Sequence, residues 1–95
     1  METKITFEEY LRKENLSENT ITSYLWTVNY FNANYYVVSK ENLLAYKGYL
    51  MEFFKPKTVN LRIQAINKYL EYLEEQHLQL KAVKVQQKNF LENVI

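Results

Sequence analysis

The chain contains no cysteine and no aspartate, and its 95 residues include one glycine, one proline and one histidine. The absence of cysteine excludes disulfide bonds and thiolate zinc sites. A glycine-rich phosphate loop is also excluded, because Gly48 is the only glycine. Proteins built from β-strands need turn residues about every ten positions, so the scarcity of glycine and proline favours long helices with few joints. The composition therefore predicts an all-α fold.

Long apolar segments are missing as well. No apolar run approaches the roughly 20 residues that span a bilayer, and the first six residues lack the apolar centre of a signal peptide. We therefore expect a cytoplasmic protein with no membrane partner. What the chain does have is 47% hydrophobic and 16% aromatic residues. In a chain of this length, that composition predicts one folded domain around a single core.

The net charge of +1 hides an uneven distribution of charged residues. Residues 40–70 carry six basic and two acidic side chains, whereas the segments before and after them are net negative. Residues 53–70 and 76–91 contain basic side chains without any acidic one. Most such segments are ordinary solvated faces, but a basic face is also the usual footprint of a nucleic-acid contact.

Three helix starts share one pattern. An apolar residue comes directly before the capping residue, and a second apolar residue lies four positions after it. The capping residues are Thr6, Ser17 and Ser39, and Glu9 completes a capping box with Thr6. Lys55-Pro56 interrupts the third helix, because proline has no amide hydrogen and forces the preceding residue out of the α region. The predicted helices cover residues 6–14, 18–33 and 40–54, with a fourth from near Thr58 to about Gln76.

Two features follow from helical spacing and alternation. In the second helix, the spacing predicts a core stripe and an opposite uncharged face that includes Trp26 and Tyr30. Packing against a neighbouring helix is the commoner role for such aromatics, and contact with DNA or protein is the alternative.

Residues 78–85 alternate in a manner typical of an extended segment, and 86–95 fit either a short helix or a frayed end. We expect residues 1–76 to form the helical domain and 77–95 a tail or linker. The predicted core stripe comprises Ile21, Tyr24, Leu25, Val28, Phe31 and Asn32.

Few residues are suited to catalysis. The single histidine, His77, lies in a polar stretch and is expected at the surface. Glu74 and Glu75 are adjacent in the predicted helix and so point about 100° apart, which is poor geometry for a carboxylate pair or a metal site. We expect no enzymatic activity, no metal site and no cofactor.

Three phrases, in order, resemble the N-terminal SAM-like core-binding domain of tyrosine recombinases and phage integrases. The first is F-x-x-Y-L, present from Phe7 to Leu11, and the second is L-S-x-N-T-x-x-x-Y, present from Leu16 to Tyr24. The third is the final helix, which begins with a small polar residue at Thr58 and ends in an aromatic-rich stretch up to Leu73. The resemblance covers about two thirds of the chain.

The resemblance implies a compact four-helix SAM-like bundle that grips duplex DNA through its second and fourth helices. Family members clamp DNA between this domain and a catalytic domain whose residues nothing here matches. We therefore expect part of a longer bacterial or phage integrase, with recombinase subunits as partners and an isolated domain that is monomeric. Second-helix positions that are often basic in the family hold Thr22 and Trp26 here. The residues expected to contact DNA are Asn19, Thr20, Thr22, Ser23, Tyr24, Lys55, Lys57, Thr58, Asn60, Arg62, Gln64 and Asn67.

Two further hypotheses remain open at this point. A helical protein-interaction module without DNA affinity is favoured by the near-neutral total charge and by the uncharged face of the second helix. An enzyme with an unusual site is disfavoured by the missing residue types.

Overall fold

Four α-helices make up most of residues 4–85, the part of the chain that the structure, a computed structural model, describes. No β-strand occurs within this range. The all-α class and the four-helix bundle predicted from the sequence are confirmed. The helices are α1 (Phe7–Lys13), α2 (Glu18–Tyr35), α3 (Lys40–Phe53) and α4 (Pro56–Tyr72), followed by a short 3-10 helix, Gln76–Leu78.

The first three helices begin where their capping residues predict. The Thr6 side chain accepts a hydrogen bond from the Glu9 amide, and the Glu9 carboxylate accepts one from the Thr6 amide, so the capping box is complete. Ser17 and Ser39 cap α2 and α3 by accepting bonds from amides three residues further on. Each bond satisfies an amide that has no partner inside its helix.

Both ends of α4 differ from the prediction. The helix begins at Pro56, two residues before Thr58, because proline fits the first helical position, where its missing amide hydrogen is not needed. It ends at Tyr72, so the prediction that it continues to Gln76 is wrong. Glu74 adopts a left-handed conformation with φ of 62°, which turns the chain back along α4.

The core lies between α2 and α4, which make the most extensive helix–helix contact, and α1 and α3 close its two sides. The predicted stripe of α2 faces this core, with Ile21, Val28 and Phe31 buried. Thr27, which helical spacing had not assigned to the core, is also buried, and its hydroxyl donates to the Ser23 carbonyl at 3.0 Å. The largest fully buried side chains from the other helices are Leu11, Leu43, Tyr46, Leu50, Val59, Ile63, Ile66 and Leu70.

Residues 79–85, which we call the strap, contain no helix or strand and lie against α4, so they do not leave the helical body. Leu78, the first residue of the predicted extended segment, belongs to the 3-10 helix. Leu80 is only 8% exposed and belongs to the core. Val83 packs against that core from the outside. The described part of the predicted linker is therefore part of the bundle, and the predicted short helix or frayed end at 86–95 lies outside the described residues.

Candidate nucleic-acid interface

A shallow groove of about 200 Å³ lies between the first turns of α2 and the second and third turns of α4. All its side chains are uncharged, and most can donate or accept hydrogen bonds. Five of the predicted DNA-contacting residues meet here, joined by Leu61, which the prediction did not include. The lining residues are Asn19, Thr20, Ser23, Tyr24, Leu61 and Gln64.

Local helix geometry places these side chains together. Asn19 and Ser23 are four positions apart on α2, and Leu61 and Gln64 are three apart on α4, so each pair lies along one helix face. The cap at the start of α2 also fixes the Thr20 hydroxyl, which accepts a bond from the Ser17 hydroxyl at 3.0 Å. The side-chain polar atoms of Asn19, Ser23 and Gln64 make no hydrogen bond within residues 4–85. Because no buried side-chain polar atom in this range lacks a partner, these atoms face solvent.

The groove continues along α4 into a second hollow of about 280 Å³, which shares Tyr24 and Gln64 with the first. Lys68 lies here, but its ammonium group is already paired with Glu14 at 3.2 Å and with Glu71 at 3.0 Å. Two carboxylates against one lysine give this end of the groove no excess of positive charge. Lys68 belongs to the basic segment of the sequence, but its charge is used in ion pairs within the bundle.

A partly buried hydrogen bond between Tyr10 and Glu71 shifts the pKa values of the same cluster. The Tyr10 hydroxyl donates to Glu71 at 2.7 Å, and this bond, with a smaller contribution from Lys68, lowers the pKa of Glu71. Burial, and then the bond to Glu71, raises the pKa of Tyr10 to about 12. The hydrogen bond to Glu71 also raises the pKa of Lys68. Glu71 and Lys68 are thus both held in their charged forms.

Arg62 does not line the groove. Its guanidinium lies 4.7 Å from the centre of the Trp26 ring, and its Nη1 donates to the Thr27 hydroxyl at 3.1 Å. A cation over an aromatic ring is attracted by the negative face of that ring. Arg62 therefore joins α4 to α2, and a role in binding DNA would have to coexist with these contacts.

Lys55, Lys57 and Thr58 mark the start of α4. Both lysine side chains are exposed and make no ion pair within residues 4–85, whereas Thr58 is half-buried. Unlike the other three helices, α4 has no side-chain hydrogen bond at its N-cap, which is Lys55. Free amides and the positive end of the helix dipole therefore lie beside two exposed lysines.

The remaining predicted residues have other placements. Thr22 is exposed on α2 but does not line the groove. Asn60 and Asn67 lie on the side of α4 that carries the strap, and each side-chain amide bonds to the strap main chain. Their amides are thus already engaged, which the sequence signals do not reveal because the partners lie 13 and 23 residues away.

A second surface is aromatic. Trp26 stacks on Tyr30 with ring centres 5.6 Å apart, Tyr30 on Tyr49 at 6.0 Å, and Tyr49 contacts Phe53 at 5.2 Å. Trp26 is 53% exposed and Phe53 is 64% exposed. We call this set, together with Phe54, the aromatic surface. Trp26 packs against Arg62 of α4 on one side and stays half exposed on the other, so its contact with DNA or protein remains a prediction.

No protein-family model, curated protein or solved structure matches the chain. Among residues 4–85, no helix is both long enough and apolar enough to cross a membrane. The same residues contain no cluster of three histidine, cysteine or acidic side chains that would hold a metal ion.

Proposed function

We propose that this chain is a double-stranded DNA-binding domain of the kind found in tyrosine recombinases, and that it grips the duplex through α2 and α4. The observation that carries the proposal is the uncharged, hydrogen-bonding groove between these helices, next to the lysine-flanked start of α4. In this proposal the domain serves DNA integration or recombination within a longer protein whose catalytic residues lie outside this sequence.

The groove supports the proposal through its chemistry. Neutral amide and hydroxyl groups are suited to phosphate oxygens and base edges, because they bond without bringing a charge that must be desolvated. Gln64 is exposed on α4, and a glutamine side chain can form two bonds to an adenine edge in the major groove. Asn19 and Ser23 are available for phosphate contacts from the first turns of α2.

The charges define the expected strength of binding. With Arg62 stacked on Trp26 and Lys68 paired with two carboxylates, Lys55 and Lys57 are the basic residues of α4 and its N-cap that make neither an ion pair nor a cation–aromatic contact within residues 4–85. Two phosphate contacts correspond to a log–log salt slope of about −2. Non-specific binding by a single domain is then expected to be weak, with a Kd on the order of 10⁻⁴ M.

The test is a fluorescence-anisotropy titration of a labelled duplex of about 25 base pairs at about 50 and 200 mM salt. Lys57→Ala should weaken binding and reduce the salt slope by about 1. Lys40→Ala is the matched control, because Lys40 is also an exposed lysine in the first turn of a helix, at the far end of α3 from Lys55. Absence of binding at the lower salt concentration, or equal effects of both variants, would contradict the proposal.

The aromatic surface favours a second candidate function, a protein-interaction module without DNA affinity. Aromatic side chains are enriched at the centres of protein interfaces, and Trp26 and Phe53 are more than half exposed. Under this alternative, association is insensitive to salt and is lost in Trp26→Ala or Phe53→Ala. Lys57→Ala then leaves association unchanged, which separates the two functions.

A further inference from the structure

Two asparagines on α4 hold the strap by its main chain. The Asn67 side chain donates to the Leu80 carbonyl at 2.9 Å and accepts from the Leu80 amide at 2.8 Å. Asn60 does the same with Val83, at 2.9 and 2.8 Å. Each asparagine therefore offers the strap a donor and an acceptor in the way that a neighbouring β-strand would.

The spacing of the two asparagines matches an extended chain. Asn67 lies seven positions after Asn60 on α4, a rise of about 10.5 Å. Val83 lies three positions after Leu80, a rise of about 9 Å in a polyproline-like chain, in which every third residue faces the same side. Lys47 adds a third main-chain contact by donating to the Lys81 carbonyl at 2.6 Å. These bonds contact main-chain atoms of the strap, and the strap of a second copy offers the same atoms.

The connection between α4 and the strap is strained. The Glu74 amide bonds to the Glu71 carbonyl at 3.1 Å, and the Glu75 amide bonds to the Leu70 carbonyl at 2.7 Å. This pair of bonds is the Schellman motif, whose left-handed residue is usually glycine. Here the left-handed residue is Glu74, with φ of 62°, and its Cβ makes that conformation unfavourable.

The same residues favour a different conformation. Leucine, glutamate and glutamine are good helix formers, and residues 73–76 read Leu-Glu-Glu-Gln. The apolar pattern of the sequence predicts a helix through this turn. Straightening the turn into a continuation of α4 would remove the strain at Glu74 and carry the strap away from its own Asn60 and Asn67.

We propose that two copies of this chain exchange straps, so that the strap of each copy docks on Asn60 and Asn67 of the other. The closed monomer and the exchanged dimer contain the same strap contacts and differ in the conformation of the turn at Glu74. The balance between them depends on the protein concentration. Short connections give effective concentrations in the millimolar range, so the closed monomer dominates in dilute solution and the exchanged dimer grows toward about millimolar protein. The proposal does not rest on DNA binding, although Asn67 of α4 and Gln79 of the strap border the second hollow of the groove.

The experiment uses the full chain and its lack of native cysteine. One copy carries Lys47→Cys and the other Lys81→Cys, the two are mixed at high concentration, and a short thiol-reactive cross-linker is added. Exchange predicts covalent heterodimers, because Lys47 of one copy then contacts position 81 of the other. The dimer itself is measured by light scattering on a sizing column.

Glu74→Gly decides the role of the turn. Glycine adopts the left-handed conformation without penalty and weakens a continuous helix, so this variant should be monomeric and at least as stable as the native chain. Glu52→Gly is the matched control, because it makes the same change at an exposed position of α3 and should leave the dimer in place. Circular dichroism on each variant confirms that it is folded.

Two results would overturn the proposal. One is a chain that stays monomeric up to millimolar concentration and gives no heterodimer cross-link. The other is a dimer that persists unchanged in Glu74→Gly, which shows that the association does not depend on opening the turn. Because Glu74→Gly is expected to stabilise the closed fold, this second result does not depend on a variant that fails to fold.

Discussion

Gly48 lies exposed in the interior of α3, where glycine is less favourable than any residue except proline. Its φ is not positive, and a Cβ placed on it meets no atom within 4 Å. Gly48→Ala should therefore raise the free energy of unfolding by about 0.5–1 kcal/mol, measured by urea denaturation. Ala45→Gly, at another exposed position of α3, should lower it by a similar amount; a loss of stability in Gly48→Ala would contradict this account.

The hydrogen bond from Tyr10 to Glu71 gives a pH prediction at the same scale. A carboxyl whose pKa is lowered in the folded state adds stability above its ordinary pKa of 4.5, and this contribution disappears as the pH falls through the lowered value. Tyr10→Phe removes the main cause of the shift, so the pKa of Glu71 should rise in an NMR titration and acid unfolding should begin at a higher pH. Tyr36→Phe, at a side chain that is 81% exposed, should leave the Glu71 titration unchanged.

At the scale of whole elements, the helix starts are not equivalent. Ser39 caps α3 by accepting a bond from the Asn42 amide at 3.1 Å, whereas Lys55 makes no side-chain bond at the start of α4. Ser39→Ala should therefore cost about 1 kcal/mol of stability, and Lys55→Ala should cost close to nothing. Equal losses in thermal or urea unfolding would show that the Ser39 cap contributes little.

Helix ends are less predictable than helix starts. The start of each helix is encoded within three or four residues, by a cap or by proline. The end of α4 carries no such signal, because its left-handed residue is Glu74 and the only glycine of the chain lies elsewhere. The turn forms because Leu80 is buried once the chain folds back, and that gain outweighs the local preference for helix.

At the scale of the molecule, Arg62 and Lys57 should have separable roles. Arg62→Ala removes a cation–aromatic contact and a hydrogen bond between α4 and α2, and should lower the free energy of unfolding by about 1–2 kcal/mol. Lys57→Ala should change stability by less than about 0.5 kcal/mol, because Lys57 is exposed and unpaired within residues 4–85. Urea denaturation combined with DNA titration of the folded variants measures both effects, and a stable Arg62→Ala variant that loses DNA binding would contradict this assignment.

The residues predicted to contact DNA fall into two groups, those that line the groove and those that do not. Asn19, Thr20, Ser23, Tyr24 and Gln64 meet in one groove, since each helix face is set by local periodicity and the two helices pack through their apolar stripes. The basic segment of α4, by contrast, does not form a basic face. Arg62 contacts α2, and Lys68 is paired with Glu14 and Glu71.

The sequence by itself determined the helical class, the starts of the helices and the core stripe of α2, because caps and 3.6-residue periodicity act over a few neighbouring positions. Only the tertiary structure decided which polar side chains stay available. Arg62 is engaged by Thr27, Lys68 by Glu14, and Asn60 by Val83, across 35, 54 and 23 residues of sequence. Contacts at such separations depend on how whole elements pack, and no local pattern encodes them.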